Sequence, residues 1–196
     1  MVAIVRPWAL ALALIPLLAA AEARANPDVW VETTLTVAFD DQRVSELEFS
    51  WTFDDFYSAH TIQTYDLDGD GTLNSLEVRN LRAETFDPLS PADYFVHVWS
   101  GEEKQQVHNV DRFAARIEQA QLVYEFSIDV TPPLDPKVEP VAVSLFDREN
   151  FVDFSFSDGH FLLVSGEMMP GCKFRIARGK GAQSGHPQPV TLACEG

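Results

Sequence analysis

Residues 66–77 read DLDGDGTLNSLE, an uninterrupted match to D-x-D-x-D-G-x-L-x-x-x-E. Each matched type has a task in calcium coordination. Asp66, Asp68 and Asp70 offer one carboxylate oxygen each at alternate positions, and Gly71 permits the sharp bend that a side chain would oppose. Thr72 contributes a backbone carbonyl, which leaves its side chain free. Asn74 acts through a water and also suits the cap of an exiting helix, while Glu77 closes the site with two oxygens. The ligand number and the bidentate Glu77 favour a calcium ion over magnesium. An Asp-rich turn that binds nothing is the plain alternative; the number of agreeing positions and the helical patterns on both sides favour calcium.

Such a loop needs elements to hold its ends. Before it, Phe53, Phe56, Tyr57 and His60 fall at helical spacing; after it, Leu73, Leu76 and Leu81 do so more loosely. The helix-loop-helix of EF-hand type so predicted occupies about residues 54–86. Leu73 stands where these loops usually pair with a second loop. No second D-x-D-x-D-G occurs in the chain, so Leu73 is expected to pack on the domain itself. That makes the loop a staple that stabilises the fold by mass action, rather than a sensor.

Around this insertion the pattern is that of strands. Val29, Val31, Thr33, Leu35, Val37 and Phe39 alternate with polar neighbours; after the turn Asp40-Asp41-Gln42-Arg43, Leu47, Phe49, Trp51 and Phe53 do the same, which predicts a hairpin. Further strands are expected over residues 94–99, 122–130, 141–146, 152–156, 161–164 and 172–176. The fold class is therefore mainly β (α+β): an antiparallel sheet sandwich with the helix-loop-helix inserted after the second strand.

The chain of 196 residues opens with MVAIVRPWALALALIPLLAAAEARA, a basic residue, an apolar run and a small-x-small site at Ala23 and Ala25. This is the pattern of a cleaved export signal over residues 1–25, with a cut at Ala21 as the second choice. Pro7 and Pro16 bracket an apolar stretch short of the roughly 20 residues that a spanning helix needs. Residues 26–196 then form one sheet-rich domain, periplasmic and without a transmembrane segment. Removing Arg6, Arg24 and Glu22 from a net charge of −16 leaves about −17, a surface that repels nucleic acid and attracts cations. In an oxidising compartment, Cys172 and Cys194 are expected to form a disulfide.

Enzyme signatures are missing. There is no G-x-S-x-G, no phosphate-cradling glycine loop and no H-E-x-x-H; Asp54 and Asp55 read as a solvated pair rather than an acid and base. The chain is read as no enzyme. His60 fits a packed or partly exposed helix residue, His97 alternates within a strand, and His108, His160 and His186 lie in polar stretches, with no ligand pair among them. Trp30, on the polar face of its strand, is the aromatic residue to test as a contact.

Several blocks together carry a resemblance: NPDVWVETTLTVAFDD, ELEFSWTFDDFYS followed by the acidic loop, SPADYFVHVWSG, FSIDVTPPLDPKVEPVAVSLFDRENFVDFSF and MMPGCKFRI. In these the chain resembles a bacterial domain-of-unknown-function family described as the periplasmic component of an uncharacterised ABC-type transport system. The resemblance implies an accessory or substrate-binding component of a metal-ion transport system, with a membrane permease as partner. The family opens on His-Pro-His-x-Trp, whereas Asn26 and Asp28 stand at the two histidine positions here, which removes both imidazoles from that end. The other reading that the residues support is a calcium-stabilised structural or protein-interaction module with no cargo.

Overall fold

The structure, a computed structural model, describes residues 27–107, 110–157, 161–176 and 189–194. Its first two strands, β1 (Val29–Asp40) and β2 (Arg43–Phe53), form the predicted hairpin, with Leu35 paired to Phe49 and Thr33 to Trp51. The alternation is obeyed: Val31, Leu35, Val37, Leu47, Phe49, Trp51 and Phe53 are all buried. Period-two burial drives this pairing, because a slip of one residue would turn the whole apolar set to water.

After β2 come two helices, α1 (Asp55–Tyr65) and α2 (Ser75–Leu81), then a π-helical turn (Arg82–Phe86) and a 3-10 segment (Asp87–Phe95). The remaining strands are β3 (Val96–Ser100), β4 (Glu103–Gln105), β5 (Val110–Glu118), β6 (Gln121–Leu134), β7 (Val141–Leu145), β8 (Val152–Phe156), β9 (Leu162–Ser165), β10 (Cys172–Ile176) and β11 (Val190–Cys194). They make two sheets. One runs β5-β6-β2-β1-β8, with β9 also on β1, and the other runs β10-β11-β7-β3-β4. The inward faces of both contribute to one apolar cluster, from Val31 and Trp51 on the first sheet to Val98, Val143 and Leu192 on the second.

Several expectations are corrected. The first sheet is not purely antiparallel, because β8 and β9 join β1 in parallel, one after the other, along Val29–Thr33 and Leu35–Ala38. Two short strands thus cover one long edge that would otherwise be open to pairing with another chain. The strand expected over residues 94–99 starts only at Val96, since Asp93, Tyr94 and Phe95 all have positive φ. Strands β4, β5 and β11 carry too little apolar alternation to stand out from sequence, and their neighbours in the sheets define them. Cys172 and Cys194 are disulfide-bonded and face each other across β10 and β11, as expected. Among the described residues no helix is long and apolar enough to cross a membrane.

Candidate functional site

Helix α1 is held more by polar anchors than by an apolar stripe. Asp54 caps it, accepting from the N–H groups of Phe56 (2.9 Å) and Tyr57 (3.0 Å), and its second oxygen accepts from Trp30 N–H at 3.0 Å. The same carboxylate thus starts the helix and ties it to β1, a structural task in place of acid or base chemistry. Ser58 is fully buried: its hydroxyl donates to the Phe53 carbonyl (3.1 Å) and accepts from the Leu122 N–H (3.0 Å). The apolar spacing misled at Phe56, which is 82% exposed, and at His60, which is exposed as well; the buried residues of α1 are Ser58 and Thr61.

The chain leaves α1 into the acidic loop. Asp66 folds back over it: one oxygen accepts from the N–H groups of Gly69 (2.9 Å) and Asp70 (3.2 Å), the other from Gly71 (3.0 Å). Gly69 and Gly71 have φ of +70° and +80°, a region where a side chain is strained, although a Cβ would meet nothing within 4 Å at either position. The two glycines are therefore required by backbone conformation and not by crowding. These bonds draw one oxygen from each of Asp66, Asp68 and Asp70 to within 4.8 Å of one another. Ligands on opposite sides of a calcium ion lie about 5 Å apart, given oxygen distances near 2.3–2.6 Å. The three carboxylates thus fit a single hard cation.

The loop ends on α2, where Asn74 is the N-cap. Its side chain accepts from the N–H groups of Leu76 (3.0 Å) and Glu77 (3.3 Å), while Glu77 accepts from the Asn74 N–H at 2.8 Å, which completes a capping box. The other Glu77 oxygen accepts from the Leu67 N–H at 2.8 Å and so clamps the end of the loop to its start. Glu77 is 1% exposed. It lies outside the group of three converging aspartates, and its oxygens are directed at backbone N–H groups. Each oxygen retains a second lone pair.

Thr72 differs from expectation. Its side chain is not free: the hydroxyl donates to Asp70 at 2.7 Å, and the Thr72 N–H donates to the same oxygen at 2.8 Å. These two bonds, the hydroxyl's first, hold the Asp70 carboxyl below the ordinary aspartate range. Leu73, with no second loop to meet, packs partly buried against the core, as do Tyr65 and Val78, while Leu81 and Phe86 are wholly buried. Phe86 stands edge-on to Trp51 at 6.3 Å and seats the insertion on the first sheet. Leu76, expected among the apolar set, is half exposed.

Sequence reading missed the anchors Asp54 and Ser58. Only the cap had a signal, an Asp at the point where the period changes from two to helical. Trp30 is 52% exposed, as its strand position required. Asn26, the export segment 1–25, His108, His160 and His186 lie outside the described residues.

The chain is similar to proteins described without a function. Over 96 residues, 49% of this chain and 68% of the relative, it is 29% identical to a protein of Spirochaeta aurantia described as "Uncharacterized 15.5 kDa protein in trpE 3'region". The profile of one protein family matches residues 11–193, and the chain belongs to that family, described as "Protein of unknown function (DUF1007)".

Proposed function

We propose that this protein is a calcium-binding periplasmic component, accessory or substrate-binding, of a metal-ion transport system, and that the calcium acts as a structural staple in a single EF-hand-like loop. The observation that carries the calcium reading is the approach of Asp66, Asp68 and Asp70 to within 4.8 Å of one another, with no cationic side chain among the described residues pairing any of them. Three carboxylates repel one another, and a divalent ion is the partner that offsets this. The Thr72 carbonyl, a water on Asn74 and the free lone pairs of Glu77 supply the remaining oxygens.

The staple role is supported by how the loop is mounted. Leu73, Val78 and Leu81 pack on the core, so both ends of the loop are fixed to the domain. A sensor would instead free its helices and uncover an apolar groove. The transport assignment rests on the family resemblance and the export signal, with a membrane permease as the partner.

Calorimetric titration of the purified protein with calcium tests the site. One ion per chain is expected, with Glu77→Gln weakening it at least a hundredfold. Absence of calcium heat, or an unweakened variant, would falsify the assignment. Co-purification of a permease with the tagged protein from its native membrane tests the transport role.

A further inference from the structure

The 3-10 segment Asp87–Phe95, strand β3 and the connection from β7 to β8 line a cavity of about 480 Å3 that is open to solvent on one side. That is the size of a site for a small organic ligand. No residue of the acidic loop lines it. Phe95, Phe146 and Phe151 give it an aromatic wall, and Phe151 is half exposed at its edge.

Two features of this wall are costly to the fold. Asp93, Tyr94 and Phe95 follow one another with φ of +54°, +52° and +57°, a left-handed run without glycine. Such backbone persists only where its surroundings impose it, and it concentrates at ligand sites. His97 also lines the cavity and is 3% exposed, with its ring 3.9 Å from that of Phe146. Its Nε2 lies 3.3 Å from the Phe146 carbonyl oxygen, which can only accept; Nε2 therefore carries the proton and Nδ1 keeps its lone pair. Among the described residues Nδ1 is buried without a partner, and so is the hydroxyl of Ser144, directly across the strand pair from His97. Burial lowers the imidazole's pKa and keeps it neutral.

One cation at the cavity is placed to take an anion. The charged side chains that bear on His97 are Lys104, Arg148 and Asp93. Lys104 is paired with Asp93 at 2.7 Å. Asp147, also on the wall, has both oxygens committed to the N–H groups of Glu149, Phe151 and Val152. Arg148 has no ion-pair partner among the described residues, in a chain of net charge −16. An unpaired guanidinium beside an aromatic cavity suits a planar carboxylate with an apolar body. Asp147 keeps its negative charge while its oxygens accept from the backbone, and Glu149, exposed next to Arg148, is the carboxylate that competes directly for the guanidinium.

We infer that this cavity is a binding site for a small organic carboxylate, whose apolar body packs against Phe95, Phe146 and Phe151 and whose carboxylate meets the Arg148 guanidinium. The site is separate from the acidic loop and independent of its calcium.

The test is a titration of the purified protein, in excess calcium and again in chelator, with benzoate, benzyl alcohol and benzylamine, followed by amide NMR. Benzoate is expected to shift signals in residues 146–152 in both conditions, and to bind at least tenfold tighter than the alcohol or the amine. Arg148→Gln, an exposed position, should lower benzoate affinity at least tenfold with an unchanged melting temperature, and Glu149→Gln should raise it. No benzoate binding at millimolar concentration, equal or tighter binding of the alcohol or amine, or undiminished affinity in Arg148→Gln would each overturn the inference.

Discussion

Two acidic regions of this protein treat their carboxylates in opposite ways. On the outer face of the first sheet, Arg112 pairs with Glu46 and, at 2.9 Å, with Glu48, while Arg116 pairs with Glu118 (2.9 Å) and Glu125 (2.6 Å). In the loop of residues 66–77, Asp66, Asp68 and Asp70 are gathered by backbone N–H groups and the Thr72 hydroxyl, and among the described residues no guanidinium or ammonium joins them. Acidity alone therefore does not make a cation site. What separates the two is who supplies the positive charge: the chain itself on the sheet and, in the proposed reading, an ion from solution at the loop.

The contrast can be broken most forcefully with calcium. Saturation to a hundred times the dissociation constant is expected to stabilise the fold by about 2.7 kcal/mol, without new binding of a hydrophobic dye. Asp66→Asn should remove that gain, whereas Glu48→Gln on the sheet should keep it; paired melts in calcium and in chelator read both. A calcium-dependent rise in dye binding by folded protein would mean that the loop is a sensor. Next in size is Glu77→Gln in chelator. With Glu77 buried and both oxygens accepting, the amide turns a donor toward one N–H, at a cost of about 1–3 kcal/mol by denaturant unfolding. An unchanged midpoint would show that the clamp between Leu67 and Asn74 is energetically idle.

Smaller effects sharpen the same contrast. Arg112→Gln should cost no more than about 1 kcal/mol, because the guanidinium is largely exposed, and should leave calcium affinity unaltered. Coupling to the loop, seen as a changed affinity, would contradict the independence of the two regions. Smallest is Thr72→Val, which removes the hydroxyl bond and is expected to raise the Asp70 pKa toward the ordinary value in an NMR titration without calcium. The sign follows from linkage. A carboxyl with a depressed folded pKa contributes stability that is present above its unfolded value and lost as pH falls through the folded one. Asp70 is exposed, so this contribution is minor and shows in the titration before it shows in a melt.

Much of the loop was legible because its signals are local. Asp66, Asp68, Asp70 and Gly71 sit at fixed spacing within one turn of chain, and Asn74 and Glu77 cap a helix over three residues, so no distant contact was needed to read them. Asp54, Ser58 and the Thr72 hydroxyl were not read, because the partners that define the first two, Trp30 and Leu122, lie far away in sequence. The outward turn of Phe56 has the same origin. α1 is seated by buried Ser58 and Thr61, so apolar spacing pointed to the wrong face.

The sequence by itself determined the hairpin of β1 and β2, the long strand β6, the acidic loop with its cap and the cysteine pair, since each is written in a period, a spacing or a chemical pairing. Only the tertiary structure decided that β8 and β9 lie parallel along β1, that the low-contrast strands β4, β5 and β11 extend the sheets, and that His97, Phe146 and Arg148 meet around one cavity. The physical reason is one of range. Alternation and capping act between neighbours in the chain, whereas edge coverage and cavity formation depend on which distant surfaces are left unpaired once the core has closed.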